Sequence, residues 1–164
     1  FEHGGDLIIV LDSELDSTGI TGEHPCHPEL GVSTSSAENV FVFFHKLLWV
    51  TEDTPYYTLR DDLNNPPGYN FQNNFWTHVE PLFRALDAQV YLIAGDVGVP
   101  WAMALFCDSY ENIHLIASGV GGAEEENYLL LDVDAYDVQI VAHRLDGQPL
   151  SQGIIEAYDL AFYE

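Results

Sequence analysis

The chain has 164 residues, 47% of them hydrophobic and 13% aromatic, which is long enough for one domain with a buried core and too apolar for a disordered polypeptide. Its charge is lopsided: 27 Asp and Glu stand against only Lys46, Arg60, Arg84 and Arg144, a formal net charge of −23. Such a surface repels nucleic acid and anionic lipid, and no apolar run reaches the length of a membrane span, so those two classes of partner are set aside.

The acidic excess comes mainly from missing lysine. It suits a high-salt setting that screens the self-repulsion, a cation-binding surface, or a face covered by a partner. An extracellular or periplasmic location is the expectation. The sequence opens with neither Met nor a signal-like stretch with a basic start, and Phe1 is expected to be a processed or trimmed end. Cys26 and Cys107 are the only cysteines. They form either one long-range disulfide or two separate thiols, and the sequence leaves both open.

The first element is Asp6–Leu11, a short continuous apolar run with the pattern of a strand covered on both faces. A Gly/Ser/Thr/Pro-rich stretch to about Glu38 reads as loop. It contains His24-Pro25-Cys26-His27, a small cluster of ligand types whose spacing is not that of a structural zinc site. The run Val40–Phe44 is a buried strand that delivers His45 at its carboxyl end. In open α/β sheets ligands collect at that edge. A lone histidine there otherwise simply starts a loop.

Residues 51–73 form a second long irregular segment. Phe75, Trp76, Val79, Leu82, Phe83 and Leu86 recur at helical spacing and predict an amphipathic helix over about 74–87, with Pro81 imposing a kink or an early break. Gln89–Ala94 is the third strand and runs into Gly95-Asp96-Val97-Gly98. Ile113–Ala117 is the fourth, ending in Ser118-Gly119-Val120-Gly121-Gly122. Tyr128–Val133 and Val138–His143 flank Asp134-Ala135-Tyr136-Asp137 and predict a hairpin, and Asp146-Gly147 a turn. The tail, 148–164, is apolar enough to dock on the domain or a partner. With no internal repeat and no low-complexity linker, residues 1–164 are read as one domain.

The order of these pieces resembles the C-terminal half of a calcineurin-like metallophosphoesterase. The pieces are a strand ending in His45, a long loop with an aromatic-rich helix, a strand ending in Gly95-Asp96, a strand ending in Ser118-Gly119, and a closing hairpin. The resemblance covers roughly residues 6–147 and implies an α/β fold: part of an α/β/β/α sandwich, with a mixed β-sheet, flanking helices and long loops. It also implies divalent metal ions (Mn, Fe or Zn) at the strand ends, where they lower the pKa of a bound water and neutralise phosphate charge. His45 matches the family's lone-His block. Gly95-Asp96-Val97-Gly98 falls where the family has Gly-His-x-His, with Asp96 and Gly98 in place of the histidines. Asp96 is an oxygen donor that suits a hard cation, whereas Gly98 offers no side chain. The Asp-x-His, Gly-Asp-x-x-Asp and Gly-Asn-His blocks have no counterpart.

The resemblance therefore implies His45 and Asp96 as metal ligands and no catalytic residue from this chain alone. The expected function is the C-terminal part of a metallophosphoesterase-related protein, which completes a phosphoester-hydrolase site only with an N-terminal half. The alternative is an inactive scaffold acting as a binding or structural module in an extracellular assembly. Either way the chain is expected not to be a free monomer, because half a sandwich exposes an apolar face to a missing half or another protein subunit. Asp132, Asp134 and Asp137 suggest calcium on the acidic surface as a second cation hypothesis, although their spacing also suits strand-turn-strand. Ser13 and Ser118 sit in no nucleophile-elbow context. Gly119-Val120-Gly121-Gly122 lacks the Lys-Ser/Thr of a phosphate-binding P-loop. Trp49, Trp76 and Trp101 are expected in core or rim packing, with Trp49 close enough to His45 in sequence to line a pocket.

Overall fold

Runs rich in Val, Ile and Phe, too short for helices and bounded by Gly, Asn and Asp, set the architecture. The computed structural model describes residues 1–11, 36–45, 47–49, 75–95, 105–119, 125–134, 137–150 and 155–156. The strands are β1 (Glu2–His3), β2 (Asp6–Val10), β3 (Asn39–Phe44), β4 (Gln89–Ala94), β5 (Leu105–Tyr110), β6 (Ile113–Ser118), β7 (Asn127–Val133), β8 (Val138–Arg144) and β9 (Ile155–Glu156). Among the described residues between β3 and β4 lies a helical element, a π turn at Phe75–Val79 continuing as α1 (Glu80–Arg84).

A seven-stranded mixed sheet runs in the order β1-β2-β3-β4-β6-β5-β9, and β7 and β8 form a separate two-stranded sheet. β2, β3, β4 and β6 are parallel neighbours, β5 is antiparallel to β6, and β1 is antiparallel to β2. The fold is thus mixed α/β with a predominance of strand.

Strand alternation divides the core in two. Val40, Val42 and Phe44 on β3, Val90, Leu92 and Ala94 on β4, and Ile113, Leu115 and Ala117 on β6 pack against Phe75, Val79 and Phe83 of the helical element. The intervening residues Phe41, Tyr91, Ile93 and Ile116 face the other way and are covered by Leu129, Leu131, Val133, Val138, Ile140 and Ala142 of the hairpin. The described layers are therefore helix, sheet and hairpin. From β2 through β3 to β4 the strands step in one direction, and right-handed crossovers that keep one direction lie on one face. The helix occupies that face, leaving the other to the hairpin.

Several sequence expectations shift. The helix is shorter than 74–87, because Pro81 sits at the start of α1, where it lacks a donor the first turn does not need. Asn112 ends this unit: its side-chain Nδ2 donates to the carbonyls of Phe83, Leu86 and Ala88 at 3.2, 3.2 and 2.8 Å. β2 is covered less fully than its apolar run suggested, since Leu7 is buried but Val10 is 70% exposed. β5 is an addition. In the tail, Ile155–Glu156 pairs with β5 as an edge strand, and Leu150 packs on the hairpin-side core.

Candidate functional site

Because β2, β3, β4 and β6 are parallel, their carboxyl ends share one edge of the sheet, at Leu11, His45, Gly95 and Gly119. The end of β3 is clamped from both sides. The Leu11 N–H donates to Phe43 O at 2.8 Å, and the Gly95 N–H is shared between Phe44 O and His45 O, each at 3.1 Å. The β3–β4 register pairs Phe44 with Ala94, so His45 comes to lie beside Gly95. A Cβ at Gly95 would stand 3.7 Å from His45 Nδ1, an ordinary contact, so the imidazole lies over the glycine.

Beyond His45 the chain turns back into the core. Leu47, Leu48 and Trp49 are 1%, 1% and 0% exposed, while His45 itself is exposed. The Trp49 ring stacks on Phe106 (centroids 5.9 Å apart) and meets Phe44 edge-on (5.8 Å). Its carbonyl accepts from Trp76 Nε1 at 3.0 Å. Trp49 is thus an anchor in the core and not the wall of a pocket. What it does for His45 is fix the strand exit that carries the imidazole.

Asp96 directly follows Gly95 in sequence, but it lies outside the described residues, as do Gly98, Ser13, Trp101, Cys26 and the His24–His27 cluster. The pairing of Cys26 with Cys107 shares that position. Among the described residues no three His, Cys, Asp or Glu side chains converge as a metal-binding group. The resemblance calls for two metal ions. His45 and Asp96, the two donors the resemblance implies, are fewer than the several converging ligands a dinuclear centre needs, so that pair does not by itself make up the group. Nor does the strand order supply the crevice of a doubly wound sheet at His45, since β2, β3 and β4 follow one another without a reversal.

Other singled-out residues have structural work. Ser118 Oγ donates to Asn127 Oδ1 at 2.7 Å, both residues buried, and Asn127 Nδ2 donates to Glu125 O at 3.0 Å. This bridge ties the sheet to the hairpin and occupies the Ser118 hydroxyl. Gly119 O accepts from the Asn127 N–H at 3.4 Å. Asp134 closes the hairpin loop: its Oδ1 accepts from the Asp137 N–H at 3.0 Å, while its own N–H donates to Asp137 O at 3.0 Å. At the other end, Arg144 is held by Glu125 (2.9 Å) and by Asp146.

A buried carboxyl escaped the sequence reading. Glu80 on α1 accepts from the Tyr110 hydroxyl at 3.1 Å and pairs with Arg84 at 3.0 Å. Burial pushes the Glu80 carboxyl above the ordinary range, against the opposing pull of Arg84 and of the Tyr110 hydrogen bond. The Tyr110 hydroxyl is pushed up as well, first by burial and then by the Glu80 charge. On the hairpin side, Phe41, Tyr91 and His114 stack in a row across β3, β4 and β6, with centroids 5.0 and 4.6 Å apart. His114 Nε2 lies 3.0 Å from Gln89 Oε1, and burial lowers the His114 pKa. Both groups join elements of the fold to one another.

No family model, curated protein or solved structure matches the chain. No helix among the described residues is long and apolar enough to cross a membrane.

Proposed function

We propose that this chain is the C-terminal part of a calcineurin-like metallophosphoesterase-related protein, completing a phosphoester-hydrolase site only together with an N-terminal half. The observation that carries the reading is the parallel β3–β4 register, which sets His45 over Gly95 at the carboxyl edge, with Asp96 next in the chain. The succession of helix, mixed sheet and hairpin is also compatible with part of an α/β/β/α sandwich. In this reading His45 and Asp96 are the share of a divalent-metal centre that this chain contributes. The N-terminal half brings the remaining ligands, and an extracellular or periplasmic setting suits the acidic surface. No step of hydrolysis is assigned to these residues alone. Turnover of a generic aryl phosphate with added manganese or zinc tests it. The chain alone is expected to be inactive, and turnover by it that disappears in His45→Ala would overturn the reading.

A second reading, an inactive scaffold serving as a binding or structural module, is favoured by one observation. Tyr128, Leu130, Val141 and Leu145 of the hairpin are 50%, 55%, 47% and 56% exposed. Sedimentation distinguishes it from a self-sufficient domain: a stable, compact monomer with no tendency to associate would count against any role that needs a covering partner.

A further inference from the structure

We infer that the outer face of the β7–β8 hairpin is a docking surface for a basic amphipathic helix of a partner protein. The hairpin alternates strictly. Leu129, Leu131, Ile140 and Ala142 face the sheet, and the opposite parity faces outward. Beside Asp132, Gln139 and His143, the outward face carries apolar side chains where a solvated sheet face would be polar throughout. Leu130 pairs with Val141 across the strands, and Tyr128 pairs with His143, their rings stacked with centroids 5.4 Å apart. Of the seven large apolar side chains exposed among the described residues, Tyr128, Leu130, Val141 and Leu145 lie here. Such a concentration marks an interaction surface more often than chance scatter.

Charge selects the occupant. Residues 125–150 carry six carboxylates (Glu125, Glu126, Asp132, Asp134, Asp137, Asp146) and a single cation, Arg144, already engaged by Glu125 and Asp146. A second copy would bring a formal charge of −23 against the same sign, and an anionic membrane or a nucleic acid would be repelled too. A helix with an apolar stripe meets the Leu130–Val141 pair, as helices cover open sheet faces, and Lys or Arg along its flanks meets the carboxylates at both ends of the hairpin. This surface is separate from the His45 edge and does not depend on whether a phosphoester site forms.

The test uses the whole chain and three synthetic peptides of about four helical turns. One is a Leu/Lys amphipath, one has Glu for every Lys, and one has Ser for every Leu. Binding is read by fluorescence anisotropy at roughly physiological salt. The Leu/Lys peptide is expected to bind, and the other two are not. Leu130→Asp with Val141→Asp adds negative charge but removes the apolar pair. It is expected to weaken the Leu/Lys peptide at least about 10-fold, equivalent to about 1.4 kcal/mol. Leu130→Ser with Val141→Thr, which leaves the inward face and the charge unchanged, is expected to shift affinity the same way and guards against misfolding of the Asp variant. Undiminished binding by either variant, equal binding of the Ser/Lys peptide, or no binding of the Leu/Lys peptide would overturn the proposal.

Discussion

Trp49 is the residue through which the core holds the strand end that carries His45. Its side chain is fully buried, stacked on Phe106 and edge-on to Phe44, with its carbonyl tied to Trp76. Trp49→Ala removes the buried indole and leaves a cavity between β3 and β5, and aromatic-to-alanine changes of this kind cost about 3–5 kcal/mol. The two ring pairs, each worth about 0.5–1.5 kcal/mol beyond burial, place the expected loss toward the upper end, about 4–5 kcal/mol. That is a large share of the 5–15 kcal/mol, roughly, that holds an ordinary domain together. Trp49→Phe keeps a ring in the site and is expected to cost about 1–3 kcal/mol, a fall in Tm of roughly 2–12 °C. Urea unfolding followed by circular dichroism is the assay: the midpoint falls while the slope stays constant. A loss below about 1 kcal/mol for Trp49→Ala would refute the argument, because a filled ring cluster in the core cannot be emptied that cheaply.

His45→Ala is expected to leave stability within about 0.5 kcal/mol, since the side chain is exposed and the strand end is held by backbone hydrogen bonds; a thermal melt checks it. Asn127→Ala is expected to cost about 1–3 kcal/mol by leaving Ser118 Oγ without its buried acceptor. Ser118→Ala added on top should cost less than its own single change, as a double-mutant cycle would show. Glu80 gives a pH dependence of definite sign. Its folded-state pKa lies above the unfolded one, so its contribution to stability is fully present below the ordinary glutamate value and is lost as pH rises through the raised one. Glu80→Gln is expected to flatten the part of the stability profile that begins at the ordinary glutamate value and runs through the raised one, read in denaturant titrations, and an unchanged profile would count against burial as the cause. Asp134→Ala is expected to cost about 0.5–1.5 kcal/mol by opening the hairpin loop, with Asp134→Ser retaining much of it because a hydroxyl can still accept from the Asp137 N–H.

The strands legible in the sequence were those whose apolar run coincides with burial on both faces. β3, β4 and β6 lie between neighbours, with the helix on one side and the hairpin on the other, and their continuous Val/Ile/Phe/Leu pattern records that. The hairpin was legible for a different reason, two strand-like runs on either side of the Asp134–Asp137 turn. β5 was not, because Asp108 and Ser109 interrupt its apolar residues. In the structure Asp108 Oδ1 accepts from the Ser109 N–H, which accommodates a polar residue within the strand. The sign of that strand was the parity of Phe106 and Tyr110, which share a face. The Glu80–Tyr110 contact escaped because its partners are 30 residues apart and only the fold joins them. At the candidate site the position of His45 followed from strand logic alone, whereas its neighbour Gly95 needed the parallel register, which no local pattern encodes. The exposed stripe of the hairpin showed only in the structure, because Tyr128-Leu129-Leu130-Leu131 does not tell the inward from the outward positions. Leu130 and Val141 stand at outward positions where a solvated strand would carry polar side chains.

The most direct test of the central claim is the intact mass and terminal sequence of the native protein as isolated from its source. The proposed function requires a second half, covalently joined or tightly associated, carrying Asp-x-His and Gly-Asn-His and giving aryl-phosphate turnover that His45→Ala abolishes. A native protein that begins at Phe1, carries no second polypeptide and is stable on its own would contradict it.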